Sequence, residues 1–200
     1  ISVGWDQSIR AWDCVNGTLV HTIEYAHEGA ITSVDATSDP DLKIFATTSA
    51  DGIGYVWSSE NFEVVGAIRG HSAEVSHVKW NALHQNWVTA SEDCTIRMWG
   101  HLGEPSLKAD LLKKQGLDRQ VDIGEDVLIK LDTEGFSALA VEPVQGHVIV
   151  GLSDASVVIL DMAREIVLQV YRGHKDVARS IVCVQDKNQL ITAGWDHSIR

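Results

Sequence analysis

The chain has 200 residues, 44% of them hydrophobic and 22% charged, which is the balance of a globular protein with a sizeable core rather than of a disordered segment. Its 16 Lys and Arg against 28 Asp and Glu give a net charge of −12. That excess argues against nucleic acid or an anionic membrane surface as partner, because both call for a basic face.

Cys14, Cys94 and Cys183 are odd in number and far apart, in neither a C-x-x-C nor a disulfide-framework spacing. They point to a reducing compartment, hence an intracellular, cytoplasmic protein, and are expected to be small buried residues. No run of 18 apolar residues and no signal-peptide layout appears. Because Ile1 begins inside a repeat, a targeting segment could still lie upstream.

The chain opens on Ile1-Ser2-Val3-Gly4-Trp5-Asp6 with Trp12 six residues further on, and closes on a near copy, Ile191-Thr192-Ala193-Gly194-Trp195-Asp196. Weaker copies stand between them: Thr47, Asp51 and Trp57; Thr89, Asp93 and Trp99; and Val150, Asp154 and Leu160. The aspartates fall 45, 42, 61 and 42 residues apart. Self-similarity at such a period is the signature of a repeat array.

Taken in order, each repeat offers short alternating runs rich in β-branched residues and bounded by Gly, Asp, Asn and Ser, the pattern of strands and tight turns. Ile44 to Ser49 with Gly54 to Trp57, and Trp87 to Ser91 with Thr95 to Trp99, are predicted hairpins. A third strand follows each hairpin (Leu19 to Ile23, Val64 to Arg69, Ile166 to Tyr171), then a small residue and a histidine. A fourth comes next, at Ile31 to Ala36, Val75 to Trp80 and Ala178 to Val184. From His27, His71 and His174 to the following turn aspartate the separations are 24, 22 and 22 residues. Four short strands in about 42 residues make a propeller blade.

With its Gly-His and Trp-Asp signatures at several agreeing spacings, the chain resembles a WD-repeat β-propeller protein over nearly its whole length. The resemblance implies an all-β fold. The expected domains are an incomplete first blade at 1–25, a blade at 26–70, a blade at 71–131 with an insertion at about 101–124, a degenerate blade at 132–173, and an incomplete last blade at 174–200. This partial ring has three complete and two incomplete four-stranded blades, and the remaining blades are expected outside residues 1–200.

The resemblance also implies a hydrogen-bonded tetrad in each regular blade: His27, Thr47, Asp51 and Trp57; then His71, Thr89, Asp93 and Trp99. The last blade supplies His174, Thr192 and Asp196, and the first Ser2, Asp6 and Trp12. Chemically such a set is coherent, since an indole N–H only donates, a hydroxyl and a neutral imidazole do both, and a carboxylate only accepts. The Ser/Thr, His and Asp sets are therefore expected to be structural rather than catalytic. The histidines stand about a blade apart and cannot converge on a metal. Neither a metal nor a cofactor is expected.

The pattern breaks in the degenerate blade. Val150 and Leu160 replace the hydroxyl and the indole, and Asp132 stands where the histidine is due, so that Asp132 and Asp154 are expected close together with one pKa raised. Within the insertion, residues 105–116 resemble a short helix, with Pro105 early, Lys113 and Lys114 late and Gly116 as stop. Leu107, Leu111 and Leu112 are its candidate partner contacts. Arg10, Arg97 and Arg200, four residues after the turn aspartates, are expected beside the tetrad tryptophan.

No phosphate loop, metal cluster or activated nucleophile is present. The expected function is a non-enzymatic scaffold for protein–protein interaction inside a multi-protein complex, with cytoskeletal or ciliary association a further possibility. The alternative is a substrate receptor of a cullin-type ubiquitin ligase, although Trp12-Asp13-Cys14-Val15 lacks the arginine that such receptors carry. A propeller that is itself a hydrolase needs convergent carboxylates and finds only Asp132 and Asp154. Residues beside the turn aspartates in resembling proteins often meet partners. Here Trp5, Trp195 and Glu92 hold that place, with Trp the residue type most favoured at binding hot spots.

Overall fold

Runs of β-branched and aromatic residues separated by short turns leave each strand mainly its sequence neighbours to pair with, and the computed structural model shows that pairing repeated along the chain. It describes residues 1–39, 41–100, 122–184 and 189–200. Among these there is no helix, so none that could cross a membrane.

The first sheet holds β1 (Ser2–Val3), β2 (Ile9–Asp13) and β3 (Thr18–Ile23). The second holds β4 (Ile31–Ala36), β5 (Ile44–Ser49), β6 (Gly54–Ser58) and β7 (Val64–Ile68). In the third, β8 (Val75–Asn81), β9 (Asn86–Ser91) and β10 (Thr95–Trp99) are completed by β12 (Glu125–Lys130). The fourth runs β13 (Phe136–Val141), β14 (Val148–Leu152), β15 (Val157–Asp161) and β16 (Ile166–Tyr171). The last pairs β17 (Ala178–Val184) with β18 (Gln189–Gly194), and a bridge from Ala193 to Ile199 starts the next strand. The first strands of successive sheets stand side by side, β4 by β8, β8 by β13 and β13 by β17. The fold is a β-propeller forming a partial ring, with three complete and two incomplete blades.

The core lies in the seams between sheets. Ile9, Ile31, Phe45 and Trp57 fill the first seam, and Ala46, Val56, Val78, Trp80, Trp87 and Trp99 the second. Val88, Ile96, Phe136, Leu139, Val150 and Leu160 fill the third, and Ala138, Ala140, Ile149, Ala178 and Ile181 the fourth. Because a middle strand has a neighbouring sheet on both faces, β5, β9 and β14 are buried along their whole length instead of alternating.

Polar groups stitch the seams as well. β4, β8, β13 and β17 each bulge at the same place, adding Thr32, Ser76, Ser137 and Arg179 respectively. Thr32 Oγ1 donates to Val75 O and Ser137 Oγ to Ala178 O, each across a seam. Between β4 and β8, Asp35 accepts from the Trp80 N–H at 2.8 Å and from Lys79 Nζ at 3.3 Å.

The insertion leaves at Gly100, at the end of β10 away from the Asp93 turn, and returns through β11 (Asp122–Ile123), which pairs in parallel with β7 of the preceding sheet. The Gly100 N–H donates to Gly124 O at 2.9 Å, and Ile123 is buried in the second seam. The predicted helix at 105–116, with Leu107, Leu111 and Leu112, lies outside the described residues.

Two expectations are corrected. The cysteines are not buried: Cys14 is exposed in the turn after β2, while Cys94 and Cys183 are half-buried. Cys94 occupies a turn at φ 66°, a position chosen by backbone geometry rather than by packing. Nor is Asp154 a raised carboxylate. It accepts both N–H and hydroxyl bonds from Ser156, which hold it below the usual range.

Candidate functional site

All the turn aspartates lie at one end of their sheets, where the second strand folds back into the third. In the third sheet Trp99 Nε1 donates to Thr89 Oγ1 at 2.7 Å, Thr89 Oγ1 meets His71 Nε2 at 2.7 Å, and His71 Nδ1 meets Asp93 Oδ2 at 2.9 Å. The hydroxyl has one proton to give and takes the indole N–H, so it donates to Nε2, and Nδ1 carries the proton directed at Asp93. A neutral imidazole satisfies every link, and burial does push the His71 pKa down. Burial also works against the Asp93 carboxylate, but bonds from Thr95, His71 and the Ser72 N–H outweigh it and hold the group well below the usual range.

The other sheets vary this arrangement. In the second, His27 Nε2 meets Thr47 Oγ1 at 2.8 Å and Trp57 Nε1 donates to Thr47 Oγ1 at 2.9 Å. In the last, His174 bridges Thr192 Oγ1 at 2.7 Å and Asp196 Oδ1 at 3.0 Å. In the first, Trp12 Nε1 donates to Ser2 Oγ at 2.8 Å, and Asp6 accepts from Ser8 and Arg10. In the fourth, Val150 and Leu160 are fully buried in the apolar seam.

Arg97 reaches Asp93 and Glu125 and lies 5.9 Å from the Trp99 ring. The equivalent place in the second sheet is held by Tyr55, packed against the His27 ring at 4.8 Å. Thr47, Thr89 and Thr192 are buried, with their hydroxyls turned into these sets, so they present no nucleophile. Among the described residues no three His, Cys, Asp or Glu are placed to hold a metal.

What faces outward is the row of residues beside the turn aspartates. Trp5 is 85% exposed and Trp195 61%. The Trp195 ring carries the Arg179 guanidinium 5.0 Å from its centre. Glu92 lies against Gly135, and burial together with Glu74 raises its pKa. Tyr25, 81% exposed at φ 54°, was missed by the sequence reading. Its loop is tied to the turn of Trp5 by the bond from Ala26 N to Gln7 O. The sequence signal available was its place just ahead of Ala26-His27, between one blade's last strand and the next blade's first.

The family model described as WD domain, G-beta repeat, matches residues 17–58, 62–100 and 166–200, more than half of the chain. The chain belongs to the WD40 repeat family. As a class, WD40 repeat proteins are non-catalytic interaction scaffolds. Residues 101–165, which fall between the matches, contain the insertion and the WD40 blade whose polar set is replaced by Val150 and Leu160.

Three curated proteins illustrate what the chain is similar to. The chain is 27% identical over 122 residues to the kinesin-like protein KIF21A of Homo sapiens, covering 61% of this chain and 7% of that protein. It is 29% identical over 100 residues to the target of rapamycin complex subunit LST8 of Saccharomyces cerevisiae, covering 50% and 32%. With a guanine nucleotide-binding protein subunit beta-like protein of Encephalitozoon cuniculi it shares 23% identity over 175 residues, covering 84% and 47%. The chain thus spans less than half the length of each of these relatives.

Proposed function

We propose that this chain is a non-catalytic scaffold that receives other proteins of a multi-protein complex on its turn face. The observation that carries the reading is the exposure of Trp5 and Trp195, 85% and 61%, at equivalent places in two repeats. An indole left in water costs hydrophobic free energy that a partner's surface recovers, which is why Trp is enriched at interface hot spots. In this reading the hydrogen-bonded His, Ser/Thr, Asp and Trp sets keep each blade in register, while Trp5, Trp195, Glu92 and Tyr25 make contact. The relative named as a complex subunit supports assembly into a larger complex, and the relative named as kinesin-like supports a cytoskeletal setting.

Affinity capture with the wild-type chain, Trp5→Ala and Trp195→Ala tests the proposal. The expected result is loss of specific co-purifying proteins in the variants at unchanged melting temperature. An identical set of captured proteins in all three overturns the role of this face.

A further inference from the structure

The turn between β2 and β3 reads Asp13-Cys14-Val15-Asn16-Gly17-Thr18 and holds the one Asn-Gly pair in the chain. Asp13 ties it together. Its backbone O accepts from the Gly17 N–H at 2.8 Å, its Oδ1 from the N–H groups of Val15 at 2.8 Å and Asn16 at 3.3 Å, and its Oδ2 from Asn16 Nδ2 at 2.6 Å. All of these bonds lie within the turn itself.

The matching turns of the second and fourth sheets carry Asn61-Phe62 and Arg164-Glu165 in the same two places, with Phe62 at φ 60° and Glu165 at φ 55° against 67° at Gly17. Asn61 is exposed there and the Arg164 side chain is 75% exposed, although both of those sheets are flanked on each side. Exposure of Asn16 is therefore a property of the turn and not of the sheet's place in the ring. What is particular to this turn is the residue after the asparagine. A backbone nitrogen can attack the side-chain carbonyl carbon of a preceding Asn, a side chain on the attacking residue obstructs the approach, and Gly has none. Around Gly17 the space a Cβ would enter is open.

We propose that Asn16 is a site of spontaneous modification, a deamidation to aspartate or isoaspartate, and that Asp13 is the latch that slows it. In the step, Gly17 N bonds to Asn16 Cγ, the Cγ–Nδ2 bond breaks, the Gly17 amide proton passes through water to Nδ2, and ammonia leaves. Water then opens the succinimide at either carbonyl. In the closed turn the attacking N–H and the leaving amide are both bonded to Asp13, so the turn must open first. Conversion replaces the Nδ2 donor by a carboxylate facing that of Asp13, whose bonds from Val15 and Asn16 hold it ionised below the usual range. Like charges then repel, and isoaspartate adds a main-chain carbon, so the pairing of Asp13 with Thr18 and of Trp12 with Leu19 loosens. The product belongs to the class of substrate that isoaspartyl carboxyl methyltransferases act on. Asn16-Gly17-Thr18 also fits the acceptor pattern for N-linked glycans, but the free, exposed Cys14 in the same turn favours a reducing compartment where the amide stays bare.

The test is incubation of the purified chain at neutral pH, followed by peptide mass spectrometry for exchange of the Asn16 amide for a carboxyl and by methyl labelling with an isoaspartyl carboxyl methyltransferase. The wild type converts at Asn16 and not at Asn61. Asp13→Ala speeds the conversion by about tenfold, and Gly17→Glu, which copies the fourth sheet, slows it by about tenfold or more. Should Asp13→Ala lose its folded circular dichroism spectrum, Asp13→Asn makes the same comparison. Equal rates at Asn16 and Asn61 overturn the site, and equal rates in wild type and Asp13→Ala overturn the latch. A glycan on Asn16 in protein purified from its own cells overturns both.

Discussion

Nδ1 of His27 stands 3.4 Å from Oδ2 of Asp51 and makes no hydrogen bond there, although Nε2 of the same ring meets Thr47 at 2.8 Å. Asp51 spends its carboxylate on the backbone N–H groups of Glu28, Gly29 and Ile53. In the third sheet His71 and Asp93 close the same gap to 2.9 Å. The chain of bonds that starts at a buried indole thus ends on an imidazole in one blade and on a carboxylate in the next. Replacing Asp93 by Asn removes a charge-assisted bond that the replacement of Asp51 does not. Asp93→Asn is expected to cost about 2 kcal/mol and Asp51→Asn about 1 kcal/mol, read from urea denaturation midpoints. Equal losses would show that the His71 link adds nothing.

Stability should fall on mild acidification. Burial, with Arg179 and Lys79 nearby, lowers His77 from 6.5 to about 4. Between those values the unfolded chain holds the extra proton, so stability is complete above about pH 6.5 and declines as pH drops toward 4, by about 3 kcal/mol for this residue. His27 and His71, also lowered by burial, act in the same direction. Asp93 and Asp196, held low by their bonds, contribute stability above the ordinary carboxylate pKa and lose it only at stronger acidity. Denaturation curves of His77→Gln between pH 7 and 4 should be flatter than those of the wild type; an unchanged slope counts against the assignment.

Gly100 closes the neck of the insertion at φ 69°, and a Cβ there would meet Ile123 Cγ2 at 2.7 Å. Both the left-handed backbone and the contact resist a side chain. Gly100→Ala is expected to cost about 1 to 3 kcal/mol and to loosen β11 from β7, seen as faster amide exchange at Ile123 and Ile68. Retained protection at both amides would mean that the neck tolerates a methyl group.

Much of the fold was legible before any coordinate. The period, the turn aspartates and the β-branched runs placed strands such as Ile31–Ala36 and Ala178–Val184 where they occur, and located residues that come to hydrogen-bonding distance, as His71, Thr89 and Trp99 do. These groups lie within one repeat, where strand pairing converts a fixed spacing into a fixed geometry. The Val150 and Leu160 pair was legible for the same reason, since losing hydroxyl and indole together leaves no stranded polar partner.

The contacts between repeats were not legible. Asp35 holding the Trp80 N–H and β11 lying parallel to β7 depend on how one sheet is turned against the next. The amino-acid sequence by itself determined the repeat, its strands and its turns, because these obey local spacing rules. Only the tertiary structure decided which turn residues stay in water and which charge surrounds them. Trp5 and Trp195 occupy the same place in the same motif, yet only the Trp195 ring carries a guanidinium, that of Arg179.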